Sequence, residues 1–136
     1  MIDAMSNWCH EPPPPRLLEG IAQFNHGRFF EQHETLEDLW RTEPRAVRRL
    51  YQGILQIGLA LYQVRRGNHH GAVYMLNRGS AYLRPFSPVC QTVNVADLLT
   101  QAMRIHEAVD RLGPDGLDRF DWTLAPQVRL VGLTST

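Results

Sequence analysis

Apolar side chains recur at helical spacing through most of the chain. Leu17, Leu18, Ile21, Ala22 and Phe24 give one amphipathic face from Arg16 onward, and Asn25-His26-Gly27 supplies residues that end or bend a helix. A second helix is predicted over about residues 28–42, stopping short of Pro44 because the residue before a proline disfavours the helical conformation. The next segment, RAVRRLYQGILQIGLALYQVRRGN, is the longest and most apolar. Leu50, Tyr51, Ile54, Leu55, Ile57, Leu59, Leu61, Tyr62 and Val64 occupy most of its circumference, the pattern of a central helix. Gly67-Asn68 is a stop signal, and a fourth helix starts at His69 and is closed by Pro85 and Pro88. Its small residues Gly71, Ala72, Gly79, Ser80 and Ala81 allow close approach to a neighbour.

A looser stretch through Val93 precedes a fifth helix, which Asn94 can cap and in which Leu98, Leu99, Ala102, Ile105, Val109 and Leu112 line one face. After the GPDG turn the chain loses helical period and reads as an extended tail that docks Phe120, Trp122 and Val131. No alternation is long enough for a sheet. The predicted fold class is all-α: a compact bundle of about five helices with an extended C-terminal tail.

At 136 residues the chain suits a single domain able to bury a true core. Pro12 to Pro15 form a stiff run without backbone donors, so residues 1–15 are expected to be a flexible lead-in and residues 16–136 one helical domain. The fourteen basic residues are all arginine and balance fourteen carboxylates. They are spread from Arg16 to Arg129, with Arg48/Arg49 and Arg65/Arg66 as adjacent pairs, which argues against a nucleic-acid partner. Cys9 and Cys90 stand alone, without metal-binding spacing, and are expected to be free thiols. The first fifteen residues lack the pattern of a signal peptide, and no run of eighteen apolar residues occurs. A cytoplasmic address without membrane contact is the expectation.

Candidate chemistry concentrates in FNHGRFFEQHETLEDLWR, residues 24–41. On a helical wheel with Phe29 at zero, Leu36 and Trp40 fall within about 20°, His33 near about 40°, Glu37 near about 80° and Phe30 near about 100°. His33 and Glu37 are therefore expected to face inward, with Glu31, Glu34 and Asp38 at the rim. His33, Glu37 and Arg41 form an i, i+4 ladder in which the carboxylate finds partners. Gln52, Gln56 and Gln63 make a narrow polar stripe on the third helix. Either Gln52 or Gln56 meets His33 and Glu37, or the stripe is the wet edge of that helix.

Residues 24–41, continued by YQGILQIGLALYQVRRGNHHGAVYML at 51–76, resemble the small helical proteins of domain-of-unknown-function family 309. With residues 78–83 the likeness covers roughly half the chain. The resemblance implies a compact all-α bundle and brings no established activity. Its hallmark positions are Phe24, Asn25, Gly27, Phe30, His33, Glu34, Glu37, Trp40, Gln52, Gly53, Gln56, Gly67 and Asn68.

Two functional classes compete. A structural or protein-interaction module, self-associating or holding a protein partner, fits paired helices with short glycine turns; Tyr74, Met75 and Tyr82 are possible contact residues, with core packing as the alternative for at least two of them. The alternative is a metal-dependent hydrolase built on His33-Glu34-x-x-Glu37, with His33 and Glu37 as ligands and Glu34 as base. The zinc-protease pattern has a histidine where this chain has Glu37, Glu34 points about 100° from His33, and nothing selects a third ligand among His69, His70, His106 and Glu107. No cofactor is expected. Ser80, Ser87 and Cys90 lack the setting of a catalytic nucleophile.

Overall fold

The computed structural model describes residues 8–132. It contains helices α1 (Pro15–Asn25), α2 (Phe29–Thr42), α3 (Arg48–Arg65), α4 (His69–Leu83) and α5 (Val95–Leu112), the five that the periodicity predicts. Each helix packs on the next in sequence. α3 lies between α2 and α4 and buries Leu50, Tyr51, Ile54, Leu55, Ile57, Leu61 and Val64, as its near-continuous apolar surface requires.

Local chemistry sets the boundaries. Proline opens α1, where a missing backbone donor costs nothing. Gly67, at φ 75°, ends α3, and Asn68 caps the following helix by accepting from Gly71 N at 3.0 Å. Asn94 caps α5 in the same way, accepting from Asp97 N at 3.0 Å. α3 and α4 touch where Gly53 faces Gly79: a Cβ on Gly53 would lie 2.6 Å from Leu83 Cγ, and one on Gly79 would lie 2.9 Å from Ile57 Cδ1. Either methyl group would force the helices apart.

Between α4 and α5 the chain makes a miniature antiparallel hairpin that strand alternation could not reveal, because β1 (Val89–Cys90) and β2 (Val93–Asn94) have two residues each. Its tip, Gln91-Thr92, has both residues at positive φ (47° and 73°), an uncommon conformation for a β-branched side chain. Three separate parts of the chain hold it there. Gln91 N donates to Cys9 O at 2.8 Å, the Tyr51 hydroxyl to Gln91 Oε1 at 2.8 Å, and Val131 N to Thr92 O at 2.8 Å.

The expectation of free thiols is overturned. Cys9 and Cys90 are joined as a disulfide across 81 residues of sequence, a proximity that only the fold creates. The proline lead-in is tied down from its eighth residue by this bond and by Glu11, 2.8 Å from Arg45 Nη1. Its first seven residues, like tail residues 133–136, lie outside the described residues. In the tail, Leu117, Phe120 and Val128 are buried. Trp122 is not docked as expected: it stays 39% exposed, with its ring on Phe120 and Arg65 over it. Val131 is half-buried and is held by its backbone. Among the described residues no helix is long and apolar enough to cross a membrane.

Candidate functional site

α2, α3 and α4 together build the face that carries the sequence candidates. α2 runs antiparallel to α3, in a register pinned by the Phe30 and Tyr62 rings (centroids 5.4 Å apart) and by Arg48 over Trp40 (5.1 Å). This register sets the Glu37 turn level with Gln52. α4 flanks α3 on the other side, with Arg49 over the Tyr82 ring at 5.0 Å and Asn68 Nδ2 donating to Gln63 Oε1 at 3.0 Å.

His33, Glu37 and Arg41 come together. Glu37 Oε2 lies 3.3 Å from Arg41 Nη2, and Glu37 Oε1 lies 3.9 Å from His33 Nε2, too far for a hydrogen bond. The histidine and glutamate side chains keep 25% and 32% of their surface exposed, so they stand on the rim of the face and not in the core. Glu34 projects into solvent. Gln52 does not join them: it accepts from Arg49 Nη1 at 2.6 Å, which turns it toward Tyr82. Gln56 Oε1, His33 Nδ1 and Arg48 Nε are buried without a partner, so polar groups are incompletely satisfied on this face.

Of the two polar side chains that α2 does bury, Gln32 and Thr35, the deeper is Gln32. Its Nε2 donates to Phe29 O at 3.0 Å and to Leu55 O at 3.1 Å, and it fills the space left by Gly58. The buried arc of α2 is thus Phe29, Gln32, Thr35 and Leu36, rotated from the wheel estimate by roughly a residue's angle, about 100°. The misleading residue was Phe30, whose apolar character drew the apparent face toward His33 although the ring is 44% exposed.

Among the described residues no three His, Cys, Asp or Glu side chains converge on one point. His69 Nε2 lies 3.2 Å from Val109 O, His106 Nδ1 lies 3.3 Å from Asp110 Oδ2, and His70 and Glu107 are solvent-facing. Among the described residues His33 and Glu37 are a two-residue donor set, without the third ligand that hydrolytic metal sites use.

A feature hidden by the zero net charge is how charge is distributed. Residues 44–96 contain seven of the fourteen arginines and none of the carboxylates. α3 and α4 are therefore free of acidic side chains, and their arginines lie on aromatic rings: Arg49 and Arg78 over Tyr82, Arg78 also over Tyr74, and Arg66 over Tyr62. Tyr74 is 53% exposed. Scanning acids separately from bases would have found this in the sequence.

These elements define a small all-α bundle with an arginine- and tyrosine-rich face. Residues 17–75, from α1 into α4, match the family model described as Domain of unknown function (DUF309), in line with the resemblance carried by residues 24–41 and 51–76. A 61-residue stretch is 38% identical to the Uncharacterized protein YpuF of Bacillus subtilis (strain 168). That stretch spans 43% of this chain and 35% of the relative. Neither description assigns an activity, and neither supports a metal-dependent hydrolase.

Proposed function

We propose that residues 16–136 work as one protein-interaction module, whose α3–α4 face receives an acidic protein surface. The observation that carries this reading is the carboxylate-free pair of helices with arginines laid over the exposed Tyr74 and the half-buried Tyr82. Guanidinium groups held on rings are weakly hydrated and preorganised, so less order is lost when they meet carboxylates. Arginine and tyrosine are also the side chains that most often anchor protein interfaces. A nucleic acid fits less well, because the neighbouring helix α2 carries Glu31, Glu34, Glu37 and Asp38, which would repel phosphates. A cytoplasmic setting suits such a module, although the Cys9–Cys90 bond weighs against a reducing compartment.

The test is binding of a fluorescently labelled Glu/Asp-rich peptide, with a Lys-rich peptide and a single-stranded oligonucleotide as comparators. Selective, salt-sensitive binding of the acidic peptide, lost in Arg49→Glu/Arg78→Glu, is expected. Binding of the oligonucleotide in place of the peptide, or of neither by a monomeric chain, overturns the reading.

A further inference from the structure

We infer that the acidic surface received by the α3–α4 face belongs to a second copy of this chain. The inference rests on the interaction reading above and adds the partner. Glu19, Glu31, Glu34, Glu37 and Asp38 line a groove of about 440 Å³ between α1 and α2, with Arg16 the cation among its lining residues. Some of this charge is already answered: Arg16 lies 2.8 Å from both Glu19 and Asp38, and Arg41 reaches Glu37. Glu34 has no ion-pair partner among the described residues, and Glu31 has only Arg28 at 3.9 Å. On the far side of α3, Arg49 and Arg78 make no ion pair among the described residues and rest on Tyr82.

The chain thus carries an acidic groove between α1 and α2 and a basic α3–α4 surface, separated by the partly exposed stripe of α3. A two-fold axis through that stripe sets each groove against the other copy's arginines, so both contacts form at once and the assembly closes as a dimer. Phe30 on α2 and Tyr74 on α4 are exposed and supply apolar area to the interface. Opposite charge gives the pairing its register and makes it depend on salt.

Analytical ultracentrifugation of the full chain is the test. At low salt the expected mass is twice 15.6 kDa. At about 1 M salt, where screening acts within roughly 3 Å, dissociation is expected to increase by about tenfold or more. Arg49→Glu/Arg78→Glu alone and Glu31→Arg/Glu34→Arg alone should each be monomeric, and circular dichroism should show both to be folded. Mixing the two variants should restore a dimer, because each reversed surface then meets a reversed complement and each native surface a native one. A folded wild type that stays monomeric at low salt, variants that still dimerise, or a mixture that does not recover would each overturn the second-copy assignment. Acidic-peptide binding separates the two levels. A monomeric wild type that still takes the peptide leaves the interaction reading standing with another partner, whereas loss of both removes both.

Discussion

The Tyr51 hydroxyl, in the middle of the bundle, donates at 2.8 Å to Gln91 Oε1 at the strained tip of the hairpin. Both residues are buried, and each answers the other's polarity where water does not reach. Tyr51→Phe leaves a buried acceptor unpaired, and chemical denaturation should show a loss of about 1–3 kcal/mol. A change near zero would mean that Gln91 finds another donor at no cost.

The same tyrosine gives the protein an alkaline limit. Burial pushes its phenol up to about 12. The unfolded chain releases this proton from about pH 10, so between the two values the unfolded state binds fewer protons than the folded one. Stability present below about pH 10 should therefore decline as pH rises toward 12, by on the order of 2 kcal/mol. Denaturation curves across that range, with Tyr51→Phe lacking this component, are the measurement.

How much of this was legible depends on the length of the pattern. The five helices were readable because each repeats its apolar face over three or more turns, and Asn94 was readable as a cap because it directly precedes such a face. The hairpin and the Cys9–Cys90 bond were not, since one is two residues per strand and the other joins positions that approach only after folding. Asn25 illustrates the same limit: it looks like a helix terminator, yet it also pins the tail, exchanging hydrogen bonds with Val128 at 2.7 and 3.0 Å. At the candidate site, the ladder of His33, Glu37 and Arg41 follows from spacing alone, but its depth depends on how α2 is rolled against α1 and α3. A wheel cannot supply that roll when Phe30 is an exposed aromatic.

Glu37 shows the consequence. A core carboxylate would make Glu37→Gln costly, but this one is partly exposed, 3.3 Å from a largely exposed Arg41 and beyond hydrogen-bond reach of His33. Thermal or denaturant unfolding of Glu37→Gln should show a loss of about 0–1 kcal/mol. A loss above about 2 kcal/mol would place the carboxylate in a far drier setting than the rim.

Gly58 and Gln32 form the tight point between α2 and α3. A methyl group on Gly58 collides with the Gln32 amide, which must then leave Leu55 O. Gly58→Ala should cost about 1–3 kcal/mol, and much less when Gln32 is also replaced by Ala. A double-mutant cycle reads the coupling directly. Additive effects within about 0.5 kcal/mol would show that the two sites are independent.

Acid acts through a different residue. Arg45 grips the Glu43 carboxylate through Nε at 2.8 Å and Nη2 at 3.0 Å, and its backbone N–H adds a third bond at 3.0 Å. The side-chain hydrogen bonds from Arg45 hold the Glu43 carboxyl below its usual range. The unfolded chain therefore takes up this proton first as pH falls. The contribution is complete above the ordinary glutamate value of about 4.3 and is lost as pH drops through the lower folded value. Arg45→Ala should flatten the stability profile in that window. A mutant profile as steep as the wild type would assign the acid limb to other carboxylates.

The Cys9–Cys90 bond closes a loop across 81 residues of sequence and joins the proline lead-in to the hairpin that Tyr51 supports. A cross-link of this span restricts the unfolded ensemble by an amount that chain-entropy reasoning sets at about 4 kcal/mol, with measured effects nearer 2–4 kcal/mol. Thiol titration of the denatured, unreduced protein should find no free cysteine. Reduction, or Cys9→Ser/Cys90→Ser, should lower the unfolding midpoint. The five helices should persist, because their contacts do not pass through Cys9. Limited proteolysis should then cut first within residues 8–14, where the Glu11–Arg45 ion pair and the partly buried Trp8 are the remaining side-chain ties. Two titratable thiols in the native protein would show that the cysteines are neighbours without being bonded, and the lead-in would then depend on Glu11, the packing of Trp8 and the Gln91–Cys9 backbone bond.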